Sequence, residues 1–422
     1  MMSQSVNIKK ITLEDCKSMD LADPLSSFKS KFHLPEGIVY LDGNSMGAAP
    51  KQAFPDIKNV VEEEWANGLI RSWVGADWMS SPVRSGNLLA DMLGAKHGEI
   101  IVTDTICINL FKLICFALKF NERRKVIVYE ACSFPADGYI AQGVSNLLDG
   151  YSCRSIPEGE EDYDAYLQDD VAVMVLNQVN YKSAYMRDMK AFTQKARERG
   201  VLIIWDLAHS AGAMPVDLNA DGVDLAVGCT YKYLNGGPGS PGFVYVNKAL
   251  HGKSVQPITG WFGHANQFAF EEKYTPSKTL SQFQTGTFSA LSYQGLETSL
   301  NLWREVDFNL VREKSLKLTD LFIDLMMPVA KKYGLTLITP EDHSVRGSHV
   351  SYYREDNGYA IVQALIARGV IGDFRAPGVL RFGFTPLYLS YEDVWQSVEH
   401  FKAVLENKEY LQEEHKAFQA VT

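Results

Sequence analysis

The chain has 422 residues, room for two domains of ordinary size or for one large and one small. Hydrophobic residues make up 46% and charged residues 22%, the balance of a globular protein rather than a disordered or fibrous one. A formal net charge of −10 without a long Lys/Arg run argues against nucleic acid as a partner, and no apolar run is long enough for a membrane-spanning helix.

Residues 1–55 read as an arm with a short helix. Their opening, "MMSQSVNIKKITLEDCK", lacks the apolar core of a secretory leader, so the expected compartment is the cytoplasm. The arm ends in the turn-rich "YLDGNSMGAAP", Tyr40 to Pro50. Helix and strand then alternate over residues 56–295. Helical spacing marks "FPDIKNVVEEEWANGLI", which begins just inside the arm, and "GNLLADMLGA". Apolar runs of strand length follow in "EIIVTD", "KVIVYE", "VAVMVLN", "VLIIWDLAHS", "VDLAVGCT" and "GFVYVN". Helical stretches such as "INLFKLICFALKF" and "MKAFTQKARERG" lie between most of them. The densest basic cluster, "ERRK", Glu122 to Lys125, reads as a surface turn. Strands that are apolar on both faces and alternate with helices predict an α/β domain on a mostly parallel sheet flanked by helices. From residue 296 the rhythm changes. A long helical stretch, "REVDFNLVREKSLKLTDLFIDLMMPVAKKYG", leads to two or three strands and a charged terminal helix, which predicts a smaller α+β domain over 296–422. The cysteines, Cys16, Cys107, Cys115, Cys132, Cys153 and Cys229, form no C-x-x-C pair; reduced core thiols are expected and no metal site is.

In open α/β sheets ligands sit beyond the carboxyl ends of strands. "VLIIWDLAHS" ends in Asp206 and His209, "VDLAVGCTYK" in Tyr231 and Lys232, and "VYEACSFPAD" near Phe134 and Asp137. Asp206 precedes Lys232 by 26 residues, about one strand–connection–strand unit, so both can reach one crevice. A buried lysine has its pKa pushed down from about 10.4, which favours imine chemistry, and a buried carboxylate needs a cation to stay ionised. Together they suit pyridoxal phosphate (PLP), whose aldehyde and pyridine nitrogen meet those two needs. On spacing alone, a structural ion pair or two unrelated strand-end charges is the commoner outcome. The loop "NGGPGS" fails the P-loop pattern, and its glycines serve a tight turn beside a buried group.

Taken together, "WDLAHSAGAMPVDL" and "GCTYKYLNGGPGS" resemble kynureninase of the bacterial type, a PLP-dependent family of the aminotransferase superfamily, fold type I. The resemblance continues in "YLDGNSMG", "EEWANGLIRSW", "NYKSAYMRDM", "GWFGH", "RGSHVS" and "RFGFTPLY", from about residue 38 to 400. It implies hydrolysis of L-kynurenine to anthranilate and L-alanine, in tryptophan degradation, with 3-hydroxykynurenine left open as a second substrate. By resemblance, Lys232 holds the cofactor covalently, Asp206 pairs with its pyridine nitrogen and His209 flanks it. Phe134 stacks on the ring with Asp137 beside it, and Asn177 sits near the ring oxygen. Ile106 and Cys107 cradle the phosphate through backbone N–H groups, where the family often has a hydroxyl residue, with help from Tyr231 and Trp261. Tyr231 is also the implied acid at Cβ. Trp261 and Thr287 come from the second subunit of a homodimer. Arg381 grips the α-carboxylate, while Ser45, Trp73, Gly286 and Thr287 surround the aromatic end. Each has a plainer alternative: core packing for Trp73, a turn for Ser45, a surface ion pair for Arg381. His264 and His349 are expected to be structural. Rival readings are another PLP lyase or aminotransferase of this fold, such as a cysteine desulfurase, which needs a thiol on a mobile loop, and a silent PLP-binding protein.

Overall fold

The computed structural model describes residues 11–418; residues 1–10, where the expected arm begins, and 419–422 lie outside the described part. The apolar runs form a seven-stranded sheet. In spatial order its strands are Ile100–Val102, Phe243–Val246, Leu225–Gly228, Leu202–Asp206, Val171–Asn177, Val126–Glu130 and Ser152–Ile156. The five from Leu225–Gly228 to Ser152–Ile156 pair in parallel, and Phe243–Val246 runs antiparallel to both neighbours. The mostly parallel expectation therefore holds, with one reversed strand inside it.

Burial explains why these runs are apolar throughout. Along Val171–Asn177, Met174 and Leu176 enter one hydrophobic core, while Val173 and Val175 enter another on the opposite face. The helix Ile106–Phe120 covers the second face, with Leu110, Leu113, Ile114 and Ala117 buried. Ser152–Ile156 is the strand that the apolar pattern misses. It lies at the sheet edge, and only Ile156 is buried. The "ERRK" turn is mostly exposed, but Arg124 turns back to donate to the carbonyls of Val171 and Arg199 at 3.0 and 2.8 Å.

A second, antiparallel sheet has four strands where two or three were expected, in the order Thr336–Leu337, His349–Tyr353, Val379–Gly383 and Asp373–Arg375. The helices Phe308–Tyr333 and Tyr391–Glu406 pack against each other beside it. The long helix starts at Phe308 rather than at Arg304. Asp307 caps it, separating it from the preceding helix Ala290–Trp303, and Gly334 ends it in the left-handed region at φ 70.

The arm is built into both regions. Its helix Leu13–Leu21 carries Asp20, which accepts the N–H groups of Tyr391 and Glu392 and so caps the terminal helix. Asp23 forms a buried ion pair with Lys314 at 2.7 Å. Val39–Tyr40 then pairs in parallel with Val370–Ile371. The "NSMG" turn docks on the lysine loop: Gly47 donates its N–H to the Tyr231 carbonyl at 2.8 Å, and Asn235 Nδ2 donates to the Ala48 carbonyl at 3.0 Å. A Cβ on Gly47 would collide with the Lys232 carbonyl, so only glycine permits this approach. Among the described residues, no helix is long and apolar enough to cross a membrane.

Candidate active site

Sheet register sets the site. Asn177 and Asp206, the last residues of adjacent parallel strands, are register partners, and Asp206 pairs across with Val227. Lys232 follows the Leu225–Gly228 strand by one turn. A cavity of about 570 Å³ opens beyond these ends. It brings together Ser45, Ile106, Cys107, Phe134, Asp137, Asn177, Asp206, His209, Tyr231, Lys232 and Arg381. Trp73, Trp261, Gly286 and Thr287 do not line it. Trp73 packs on Trp78, Phe262 and Phe288 in an aromatic cluster that continues to Trp261, itself 42% exposed, while Gly286 and Thr287 are exposed.

The cavity holds two buried carboxyl groups. Burial pushes the Asp206 carboxyl up, opposed by the Ala208 N–H that its Oδ1 accepts at 2.7 Å and by Lys232. Asp137, in the first turn of the helix Pro135–Leu147, is pushed well up by burial and by Asp206, and its buried Oδ2 has no partner among the described residues. No cation among the described residues forms an ion pair with either. Lys232 Nζ instead lies 3.1 Å from His209 Nε2. Burial and Lys232 hold that imidazole well below its usual range, so it is neutral and accepts from the lysine. His349, expected to be structural, is fully buried with its ring 5.5 Å from that of His209. Burial and Arg381 push it down to about 3, against an upward pull from Asp373 and the Tyr181 backbone.

Two expected contacts take a different form. Asn177 spends both amide hydrogens on Glu130 and Ser133, because the buried Glu130 accepts from its backbone and side chain at 3.1 and 3.0 Å. Only its carbonyl oxygen is left for a ligand. Arg381 is neither a surface ion pair nor a free fork. It is buried, with Nε on Asp373 Oδ1 at 2.8 Å and Nη2 on Oδ2; Nη1 donates to the Tyr181 carbonyl at 2.8 Å and Nη2 also to Ser45 at 3.0 Å. Together with Arg375, it holds Asp373 down at about 2.

Sequence reasoning missed Thr105, Tyr181, Arg375 and Asp373. Thr105 caps the helix at whose start Ile106 and Cys107 sit, accepting from the Ile108 N–H, and it lines the cavity. The hydroxyl absent from Ile106 and Cys107 thus appears one residue earlier. Tyr181 lies within the quoted "NYKSAYMRDM" and meets Phe134 edge-on at 5.4 Å. The signal for Asp373 and Arg375 was the alternation in "DFRAPGVLRFG", which places both on one face of a hairpin with Arg381 opposite Asp373.

A family model described as the kynureninase C-terminal domain matches residues 311–401. The kynureninase of Pseudomonas fluorescens is 48% identical over 416 residues, covering 97% of this chain and 100% of that protein. The chain belongs to the kynureninase family. A further kynureninase, from Burkholderia pseudomallei strain 1106a, is 46% identical with the same coverage. Solved structures share the fold at lower identity. Apo cysteine desulfurase from Thermococcus onnurineus NA1 aligns with a TM-score of 0.76 at 17% identity, over 90% of this chain and 98% of that one. A C-DES variant with glycine covalently linked to its PLP cofactor aligns at 0.77 and 17%, over 89% and 98%. This likeness supports the α/β architecture, and the kynureninase relatives carry the family assignment.

Proposed function

We propose that the protein hydrolyses the Cβ–Cγ bond of L-kynurenine, giving anthranilate and L-alanine in tryptophan degradation, with PLP as cofactor. The observation that carries this reading is the meeting of Lys232, Asp206 and the start of the helix Ile106–Phe120 in one cavity of a kynureninase-family chain. The residues fit the cofactor. Asp206 is buried without an ion pair among the described residues, which a protonated pyridine nitrogen would supply; a capped helix start suits a phosphate; and Lys232 suits an aldehyde. Thr105, Ile106, Cys107 and Tyr231 would hold the phosphate, Phe134 would lie against the ring, and Asp137, Asn177 and His209 would flank it.

When bound, PLP supplies an electron sink beside the substrate's amino nitrogen. Lys232 would hold the cofactor, and its free amine would take the proton from Cα. Neutral His209 accepts a hydrogen bond from that lysine without competing for positive charge. Arg381 orients the α-carboxylate. One water adds at the aryl ketone carbon, Cβ–Cγ breaks, and anthranilate leaves. Tyr231, whose phenol burial keeps protonated, delivers a proton to Cβ of the alanine fragment.

The reading includes a cytoplasmic homodimer. Trp261 and Thr287, and with them Trp73 and Gly286, would complete the partner's cavity; their position outside their own cavity supports this. It also divides the chain into an arm (1–55), a cofactor domain (56–295) and a small domain (296–422). The test is turnover of L-kynurenine by the purified protein with PLP, read as anthranilate fluorescence with equimolar alanine, and repeated with 3-hydroxykynurenine. Lys232→Ala should abolish turnover yet still bind PLP without a covalent link. A wild-type protein inert toward both substrates, or a Lys232→Ala variant that keeps substantial activity, would overturn the reading.

A further inference from the structure

The α-carboxylate end of the cavity holds two guanidiniums and one buried carboxylate. Arg381 has four of its five N–H groups committed, to Asp373, Ser45 and Tyr181. Its planar fork, Nε and Nη2, faces Asp373 and is not available to a ligand in this arrangement. Arg375 also lines the cavity, and its side chain is 35% exposed. It is tethered through Nη2 alone, to Asp373 Oδ2 at 2.6 Å and Ser45 Oγ at 3.2 Å. Its buried Nε has no acceptor, and its Nη1 donates to nothing among the described residues. The uncommitted donors of this corner therefore lie mostly on Arg375.

Charge points the same way. Two guanidiniums against ionised Asp373 leave one positive charge. The nearest other acid, Asp42, is pushed up to about 7 by burial and by Asp373, so below neutrality it is mostly protonated. The surplus matches a single carboxylate.

We propose that Arg375 shares the substrate's α-carboxylate with Arg381, and that Asp373 is the positioning residue that holds both guanidiniums toward it. The inference rests on the kynurenine reading above. Arg375 supplies the partly solvated half of the grip and Arg381 the buried half. A planar guanidinium with free N–H groups meets a carboxylate more strongly than a point charge does.

The experiment compares wild type, Arg375→Gln and Arg375→Lys as holoenzymes. Arg375→Gln should raise KM for L-kynurenine, and Ki for the product L-alanine, by about 10- to 100-fold in parallel, the range for a hydrogen bond to a charged group. PLP affinity should be unchanged and kcat should fall less than KM rises. Arg375→Lys, which keeps the charge without the fork, should fall between. KM and Ki both within about twofold of wild type would overturn the inference, as would PLP affinity falling in step with KM, which marks a structural role. Wild type that cleaves kynurenine beside an unaffected Arg375→Gln sinks this inference alone; wild type that cleaves no kynurenine sinks the proposed function first and this inference with it.

Discussion

Lys112 offers a test of how the exposed loop around Gly286 and Thr287 is held. It sits within the helix Ile106–Phe120 with a fully buried side chain, and its ammonium donates to Asp104 and to the Phe283 carbonyl. The Thr285 hydroxyl also donates to Asp104, at 3.3 Å. The helix and the segment leading into Gly286 and Thr287 are thus joined through one buried charge. Burial pushes the lysine's pKa down and Asp104 pulls it back up, so the ammonium depends on its partner. Lys112→Met keeps the length and apolar stem and removes the charge. Two hydrogen bonds from an ionised donor are lost, at about 1.5–3 kcal/mol each. Asp104 is 24% exposed, so water replaces part of its share. The net expectation is a loss of roughly 2–4 kcal/mol, read as a lower urea midpoint at unchanged slope. The double variant Lys112→Met with Asp104→Asn should recover at least half of that, because no charge is left stranded. A single variant within about 0.5 kcal/mol of wild type, or a double variant no better than the single, refutes the reasoning.

Two further outcomes are expected. Mixing Lys232→Ala chains with Trp261→Ala chains and allowing subunit exchange should lift activity toward about a quarter of wild type, since half the dimers are mixed and each has one site without lesions. Confirmed exchange with no rise would assign Trp261 to its own subunit. KM for kynurenine should climb as pH rises through about 7: Asp42 then ionises beside Asp373, Arg381, Arg375 and Ser45 and cancels the surplus positive charge, while neighbouring Tyr40 and Tyr388 stay neutral because burial pushes both up. In Asp42→Asn that climb should vanish; a persistent climb assigns the titration elsewhere.

The interior strands were legible because burial on both faces demands apolar residues at nearly every position, as in Val171–Asn177 up to its last residue. "SCRSI" gave no such signal, since an edge strand is half solvated. "VLIIWDLAHS" stops being strand at Asp206, where the chain turns so that Asp206 can accept from Ala208. The acid and lysine were readable as strand-end charges, but their partners were not. That Lys232 leans on His209, that Glu130 exhausts the donors of Asn177, and that Asp373 occupies the fork of Arg381 are all matters of register and of neighbours distant in sequence. Trp73 and Trp261 stood out as aromatics in quoted motifs, yet nothing local announced that they gather with Phe262 and Phe288 outside the cavity.

The arm's turn on the lysine loop also bears on assembly in time. Ser45 must find Asp373 across 328 positions of sequence, with a hydrogen bond of 2.7 Å as the end point. Gly47 must find the carbonyl of Tyr231 far sooner. At ribosomal rates of about 5–20 residues per second, the first fifty residues wait roughly 15–65 s for their last partner to be made. The pocket is therefore finished from the outside in. The large sheet and the docking of Gly47 on the lysine loop can form first, and the Ser45–Asp373 latch sets only when the final hairpin arrives. Nascent chains stalled before residue 373 should hold a formed sheet with the turn at Gly47 docked, while the segment around Ser45 and the helix Leu13–Leu21 stay open to protease.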